Sequence, residues 1–156
     1  MAHQLLIRPG TLDDHLDIAR LYVQLKDHHR RLQPGNPRYH VTDGEWSEVA
    51  LAALSDPDVY TYVAQLGAEI AGFMKITYEQ KPWGVSCELD TMVVDKHHRG
   101  KGVGGQMLQE AEALAREHGA KGMRVDVLIP NYEGREFYER HGFEIFAVRY
   151  GKPVHD

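Results

Sequence analysis

Apolar positions along the chain switch between a period of two and a period near 3.6. Residues 4–9 (QLLIRP) form a short apolar run stopped by Pro9-Gly10, which predicts a first strand. Thr11, with Asp14 three residues on, is a capping-box-like helix start. Ile18, Leu21, Tyr22 and Leu25 then follow at helical spacing, and the helix fades into His28-His29-Arg30-Arg31. Pro34-Gly35-Asn36-Pro37 reads as a loop. Thr42-Asp43-Gly44-Glu45 repeats the capping signal, and Trp46, Val49, Ala50, Ala53 and Leu54 share one helical face until Asp56-Pro57 ends it. Residues 58–66 and 70–79 are β-rich and joined by Gly67-Ala68-Glu69, a hairpin signal. Lys81-Pro82-Trp83-Gly84 breaks the chain before a further strand over 85–94.

The character then changes. Residues 95–101 (DKHHRGK) are polar and basic, and from Val103 the residues Met107, Leu108, Ala111, Leu114, Ala115 and His118 lie on one helical face that Gly119 closes. Residues 123–129 predict a strand. Asn131 is a good N-cap for a short helix bearing Phe137 and Tyr138, closed by Gly142, and residues 143–150 predict a last strand. The order is β-α-α-β-β-β-α-β-α-β. Hairpins in the middle and crossovers at the end imply an α/β (α+β) class: a mixed, mostly antiparallel central sheet with helices on both faces.

Composition narrows this picture. A chain of 156 residues, 42% hydrophobic and 26% charged, reads as a single globular domain over 1–156. Lys+Arg 18 against Asp+Glu 23 gives −5, which argues against nucleic acid or an anionic membrane as partner. Cys87 is the one cysteine, so an intramolecular disulfide and a Cys-rich zinc site are both excluded. With no apolar stretch near the roughly 18 residues of a membrane span and no signal-peptide pattern, the expected location is cytoplasmic.

The segment that carries chemistry is Arg99-Gly100-Lys101-Gly102-Val103-Gly104-Gly105, between strand 85–94 and the helix. Glycines let main-chain N–H groups approach a ligand, and a helix N-terminus adds orphan donors and partial positive charge. Together with Arg99 and Lys101 they suit a phosphate or pyrophosphate. Gly100, Gly102 and Gly105 formally satisfy GxGxxG, which keeps a dinucleotide-dependent oxidoreductase as the weakest alternative. That fingerprint belongs directly after the first strand of a Rossmann unit, and here over half the chain precedes it. No Gly-Lys-Ser/Thr follows, so a P-loop is excluded.

The sequence resembles the GNAT superfamily of acyl-CoA N-acyltransferases. Arg99-Gly100-Lys101-Gly102-Val103-Gly104 matches its Arg/Gln-x-x-Gly-x-Gly/Ala signature. Met92-Val93-Val94-Asp95 looks like the end of its fourth strand, and Asn131 with Glu136-Phe137-Tyr138-Glu139-Arg140-His141-Gly142-Phe143 is similar to its second block. The resemblance implies a GNAT-like fold, acetyl-CoA as cosubstrate without a metal, and splayed strands at 85–94 and 123–129. It implies that main-chain groups of Met92, Val93 and Val94 pair with the pantetheine arm, and that amides from Arg99, Gly100, Lys101, Gly102, Val103, Gly104 and Gly105 hold the pyrophosphate. It places Asn131 against the arm, Tyr138 as general acid at the sulfur, and Glu88 as base, directly or through a water. The expected activity is N-acetyl transfer to a primary amine, on a small molecule or a protein, by direct attack in a ternary complex. A homodimer is its expectation of assembly. A non-catalytic acetyl-CoA-binding module is the second reading; retained Glu88 and Tyr138 favour the enzyme.

The residues themselves leave alternatives. Glu88 and Asp90 share a strand face at period two, so either carboxylate serves as base unless a bulge intervenes. Cys87 reads as a small core residue rather than a nucleophile. His97-His98 read as surface turn residues, His28-His29-Arg30-Arg31 as a solvated helix end or part of an acceptor pocket, Trp46 as core, and Trp83 as a loop aromatic, with an exposed position near the acceptor as its other reading.

Overall fold

Four consecutive segments of alternating polarity pair antiparallel, and a fifth joins them in parallel through a helical crossover. The computed structural model describes residues 3–40 and 43–154, without the side chain of Asp43; Thr42, the expected second N-cap, lies outside them. Two compact units make up the chain, residues 1–126 and 127–156.

The first unit runs β1 (Leu5–Pro9), α1 (His15–Leu32), α2 (Asp43–Ser55), β2 (Tyr60–Leu66), β3 (Glu69–Lys81), β4 (Gly84–Val94), α3 (Val103–Glu117) and β5 (Gly122–Val125). Its sheet has the order β1-β2-β3-β4-β5. Every pair is antiparallel except β4 and β5. This is the mixed, mostly antiparallel sheet expected from the pattern. The α1 start is fixed by Asp14, whose carboxylate accepts from the Thr11 N–H at 2.7 Å and takes both Arg8 guanidinium nitrogens at 2.9 Å. The Arg8 hydrogen bond holds Asp14 below the usual carboxylate range against its burial.

Side-chain alternation along β3 sorts the two layers. Phe73 points to α1 and α2, its ring 4.9 Å from Tyr22, which stacks on Trp46 at 5.2 Å. Ile18, Leu21, Ala50, Val63 and Val93 complete that core, and burying each large apolar side chain stabilises by roughly 1.5–3 kcal/mol. The opposite face meets α3. A Cβ on Gly72 would stand 2.7 Å from the Val93 carbonyl and 3.0 Å from Met107 Sδ, so glycine sets how closely α3 approaches. Met74, Met107, Leu108 and Ala111 are fully buried, and His118 stacks on Tyr78 at 3.6 Å. No described helix is long and apolar enough to cross a membrane.

In the second unit α4 (Tyr132–Arg140) starts at Asn131, whose side-chain oxygen accepts from the Gly134 N–H at 3.0 Å. It ends at Gly142, with φ 89°. Two expectations change. The predicted strand 123–129 pairs only over Gly122–Val125, because β4 carries an unpaired residue, Asp90, immediately beyond the matched stretch. A bulge bends and twists its strand, and a parallel neighbour cannot follow. The predicted last strand, 143–150, is not a strand. Alternating apolar residues become a strand only when a neighbour takes their N–H and C=O groups. The five-stranded sheet does not include this segment, and Ile145, Val148 and Tyr150 stand largely exposed.

Candidate active site

The same bulge opens the site. β5 pairs with Ser86–Leu89 and no further, while Met92, Val93 and Val94 remain paired with Met74, Phe73 and Gly72 of β3. Beyond Leu89, one edge of β4 therefore has no strand partner among the described residues. Such an edge suits an extended, amide-bearing chain, which pairs with it as an added strand.

That edge runs into the glycine loop. Gly100 and Gly102 have φ of 73° and 80°, the left-handed region that glycine adopts without strain. Gly102 caps α3 through its backbone alone, with no side chain on the first-turn amides and no acidic residue in that turn. The N–H groups of Val103, Gly104 and Gly105 thus stand at the positive end of the helix without an intrahelical acceptor. Arg99 donates to the Val94 carbonyl at 3.2 Å and Lys101 to the His97 carbonyl at 3.3 Å, which folds the loop over the end of β4. The loop residues expected from sequence therefore come together with Met92, Val93 and Val94 as one surface.

What holds this loop is not evident from sequence. Asp95 is 3% exposed and accepts from Arg20 at 2.7 Å, Gln24 at 2.7 Å, His98 Nδ1 at 2.8 Å and the His97 N–H at 3.1 Å. Gln24 in turn accepts from the Lys96 N–H at 2.9 Å. Residues 95–98 are thereby pinned to α1. Burial by itself would raise the Asp95 carboxyl, but the hydrogen bonds and Arg20 outweigh it and hold the group well below the usual range. The resulting stability is complete above about pH 4 and is lost on further acidification. We expect Asp95→Asn to lower stability by about 1–3 kcal/mol, to flatten that acid limb, and to lower turnover by loosening the 95–98 segment. Urea denaturation against pH and steady-state kinetics check this. His98 is consequently no simple turn residue: its Nε2 lies 3.1 Å from Glu69, so the ring bridges two carboxylates. His97 is exposed, as expected.

Glu88 pairs with Thr77 of β3. Both its oxygens are held by Arg124 of β5, at 2.7 to 3.1 Å, and Arg124 reaches Glu79 at 3.3 Å. Arg124 was hidden in the sequence as a charge within an apolar strand. Asp90 is the bulged residue, exposed, and accepts from Thr77 Oγ1 at 2.7 Å, so the simple period-two relation between the two carboxylates is broken. Cys87 is fully buried, and burial pushes its thiol up to about 11. Trp46 is buried, as read from the pattern, and Trp83 is exposed. His29 departs from a solvated helix end: it packs on Tyr39 at 5.0 Å, and burial lowers it to about 4.

Asn131 and Tyr138 belong to the second unit. The Asn131 oxygen is engaged in its capping bond. Tyr138 sits between the Phe137 and Phe143 rings, at 5.1 and 5.4 Å, and burial pushes its phenol up to about 12.

Comparison with known proteins places this arrangement. The profile of the acetyltransferase (GNAT) family matches residues 18–143. An uncharacterized N-acetyltransferase of Bacillus subtilis (strain 168) is 27% identical over 141 residues, covering 88% of this chain and 89% of its own. The aminoalkylphosphonate N-acetyltransferase of Salmonella typhimurium is 30% identical over 107 residues, or 66% of this chain and 68% of that one. The structure of an aminoglycoside N-acetyltransferase in complex with CoA superposes with a TM-score of 0.74 at 16% identity, covering 99% of this chain and 98% of that one. A mixed sheet with an open β4 edge, an arginine–glycine loop and a matching profile over most of the chain agree: the protein belongs to the acetyltransferase (GNAT) family and is an N-acetyltransferase.

Proposed function

We propose that the chain works as one domain over 1–156 and moves the acetyl group of acetyl-CoA to the primary amine of a small molecule, by direct attack in a ternary complex. The observation that carries this reading is the continuity of the free β4 edge at 92–94 with the uncapped N-terminus of α3. The edge matches the amides of a pantetheine arm. The amides of residues 99–105, with Arg99 and Lys101, match a diphosphate. The relatives named as acting on aminoalkylphosphonates and aminoglycosides support a small amine as acceptor.

In the reaction the amine nitrogen attacks the thioester carbonyl carbon, the C–S bond breaks, the nitrogen loses a proton and the CoA thiolate gains one. Glu88, with both oxygens on Arg124, is a poor direct base and passes the proton through a water; Asp90 is the second carboxylate within reach of the same strand end. Tyr138 donates a hydrogen bond to the leaving sulfur. The buried thiol of Cys87, raised to about 11, stands outside this chemistry, which supports direct attack over an acyl-enzyme. Asn131 steadies the arm through its amide nitrogen. Titration with acetyl-CoA in a calorimeter should give saturable binding, and a panel of primary amines should release free thiol. No heat of binding at millimolar acetyl-CoA would overturn the reading.

A further inference from the structure

We propose that Lys26 and Lys75 form an anion subsite, so that the acceptor is a zwitterion: a primary amine joined by a short chain to a carboxylate or phosphonate. This rests on the acetyl-transfer reading above and names the acceptor class for it.

Lys26 stands on α1 and Lys75 on β3, each with its ammonium against the aromatic layer between helix and sheet. The Lys26 ammonium lies 5.2 Å from the centroid of Tyr39 and 5.3 Å from that of Trp46, and the Lys75 ammonium lies 5.9 Å from Tyr22. Rings at these distances orient an ammonium but leave its charge uncompensated. Among the described residues no carboxylate pairs with either lysine. In a chain of net charge −5, two half-buried ammoniums on one aromatic cluster, without a carboxylate partner among the described residues, are an exception that needs a reason. Burial and then repulsion from Lys75 lower Lys26, as expected of a cation awaiting a partner. In the rings under the pair, Tyr22 Oη and Trp46 Nε1 have no hydrogen-bond partner among the described residues, and the two residues are only 4% and 6% exposed. Buried donors without acceptors are uncommon, and here two of them sit beneath two cations. The patch thus offers donors and positive charge and no competing anion.

Its place in the sheet ties it to the reaction. Lys75 pairs with Thr91, the residue just before Met92, and the bulged Asp90 and the Glu88–Thr77 pair follow along the same strands. Thr77 is two residues beyond Lys75, about 7 Å along the strand. Positive charge at one step and carboxylates at the next complement an amine and an anion separated by a few bonds.

The test measures thiol release from acetyl-CoA by the full chain with aminoethylphosphonate, β-alanine, ethanolamine and putrescine. The two acidic amines should exceed ethanolamine in kcat/KM by about 10–100-fold, the phosphonate over the carboxylate if the site takes a dianion. Lys26→Gln and Lys75→Gln should collapse that ratio by raising the KM of the acidic amines, and Lys75→Arg should restore it. Methylphosphonate should compete with the amine and not with acetyl-CoA. Equal use of ethanolamine or putrescine, or a ratio that survives both glutamine variants, overturns the anion subsite and leaves acetyl transfer standing. Absence of acetyl-CoA binding overturns the acetyl-transfer reading instead.

Discussion

Tyr138→Phe is expected to lower kcat by about 10²–10⁴-fold, with little change in acetyl-CoA affinity. The phenol is pushed up to about 12, so it keeps its proton throughout the neutral range. A thiol has an ordinary pKa near 8.5, so complete transfer from this phenol to a free thiolate runs uphill. In the proposed mechanism Tyr138 therefore acts while charge is developing, as a hydrogen-bond donor to sulfur as the C–S bond lengthens. Two readings of the kinetics follow from that. The kcat–pH profile of the native enzyme carries no descending limb from Tyr138 in the accessible alkaline range. A cosubstrate with a better leaving thiol recovers part of the loss in the phenylalanine variant. Unchanged turnover in that variant removes Tyr138 from the chemistry.

Gly102→Val is the second large effect, and it falls on binding. Gly102 has φ 80° and a Cβ there would meet nothing within 4 Å, so no clash inside the protein explains a loss. The cost is conformational: the left-handed region is unfavourable for an L-residue by roughly 1–2 kcal/mol, and more for a β-branched one. Relaxing toward negative φ turns the amides of Val103, Gly104 and Gly105 away from a common focus. The Kd for acetyl-CoA should rise by about 10–100-fold, read by calorimetry on protein whose circular dichroism is unchanged. Unaltered affinity in a folded variant refutes the pyrophosphate assignment.

Legibility from sequence followed the range of the interactions involved. The glycine loop, the Gly119 and Gly142 terminators and the Asn131 cap are local devices, encoded within a few residues, and all appear where the pattern put them. The pin on Asp95 depends on Arg20 and Gln24, 75 and 71 positions away, and no short spacing announces it. The Asp90 bulge is a property of two strands jointly, so period-two reasoning on β4 alone could allow for a bulge but not locate it, and it overextended β5. Nothing in the 123–129 pattern singles out Arg124; only the parallel register sets it opposite Glu88. Residues 143–150 show the converse: alternation records a capacity for pairing, and the neighbour decides whether it is used.

Cys87 has a practical bearing on all of these measurements. It is the protein's single sulfhydryl, fully buried on β4, and its raised thiol leaves little thiolate at neutral pH. A chromogenic disulfide added to the folded enzyme consequently sees only the coenzyme product, without a background from the catalyst. Once the central strands separate, the same side chain becomes a stoichiometric clock for that opening, read in the same cuvette and at the same wavelength as turnover.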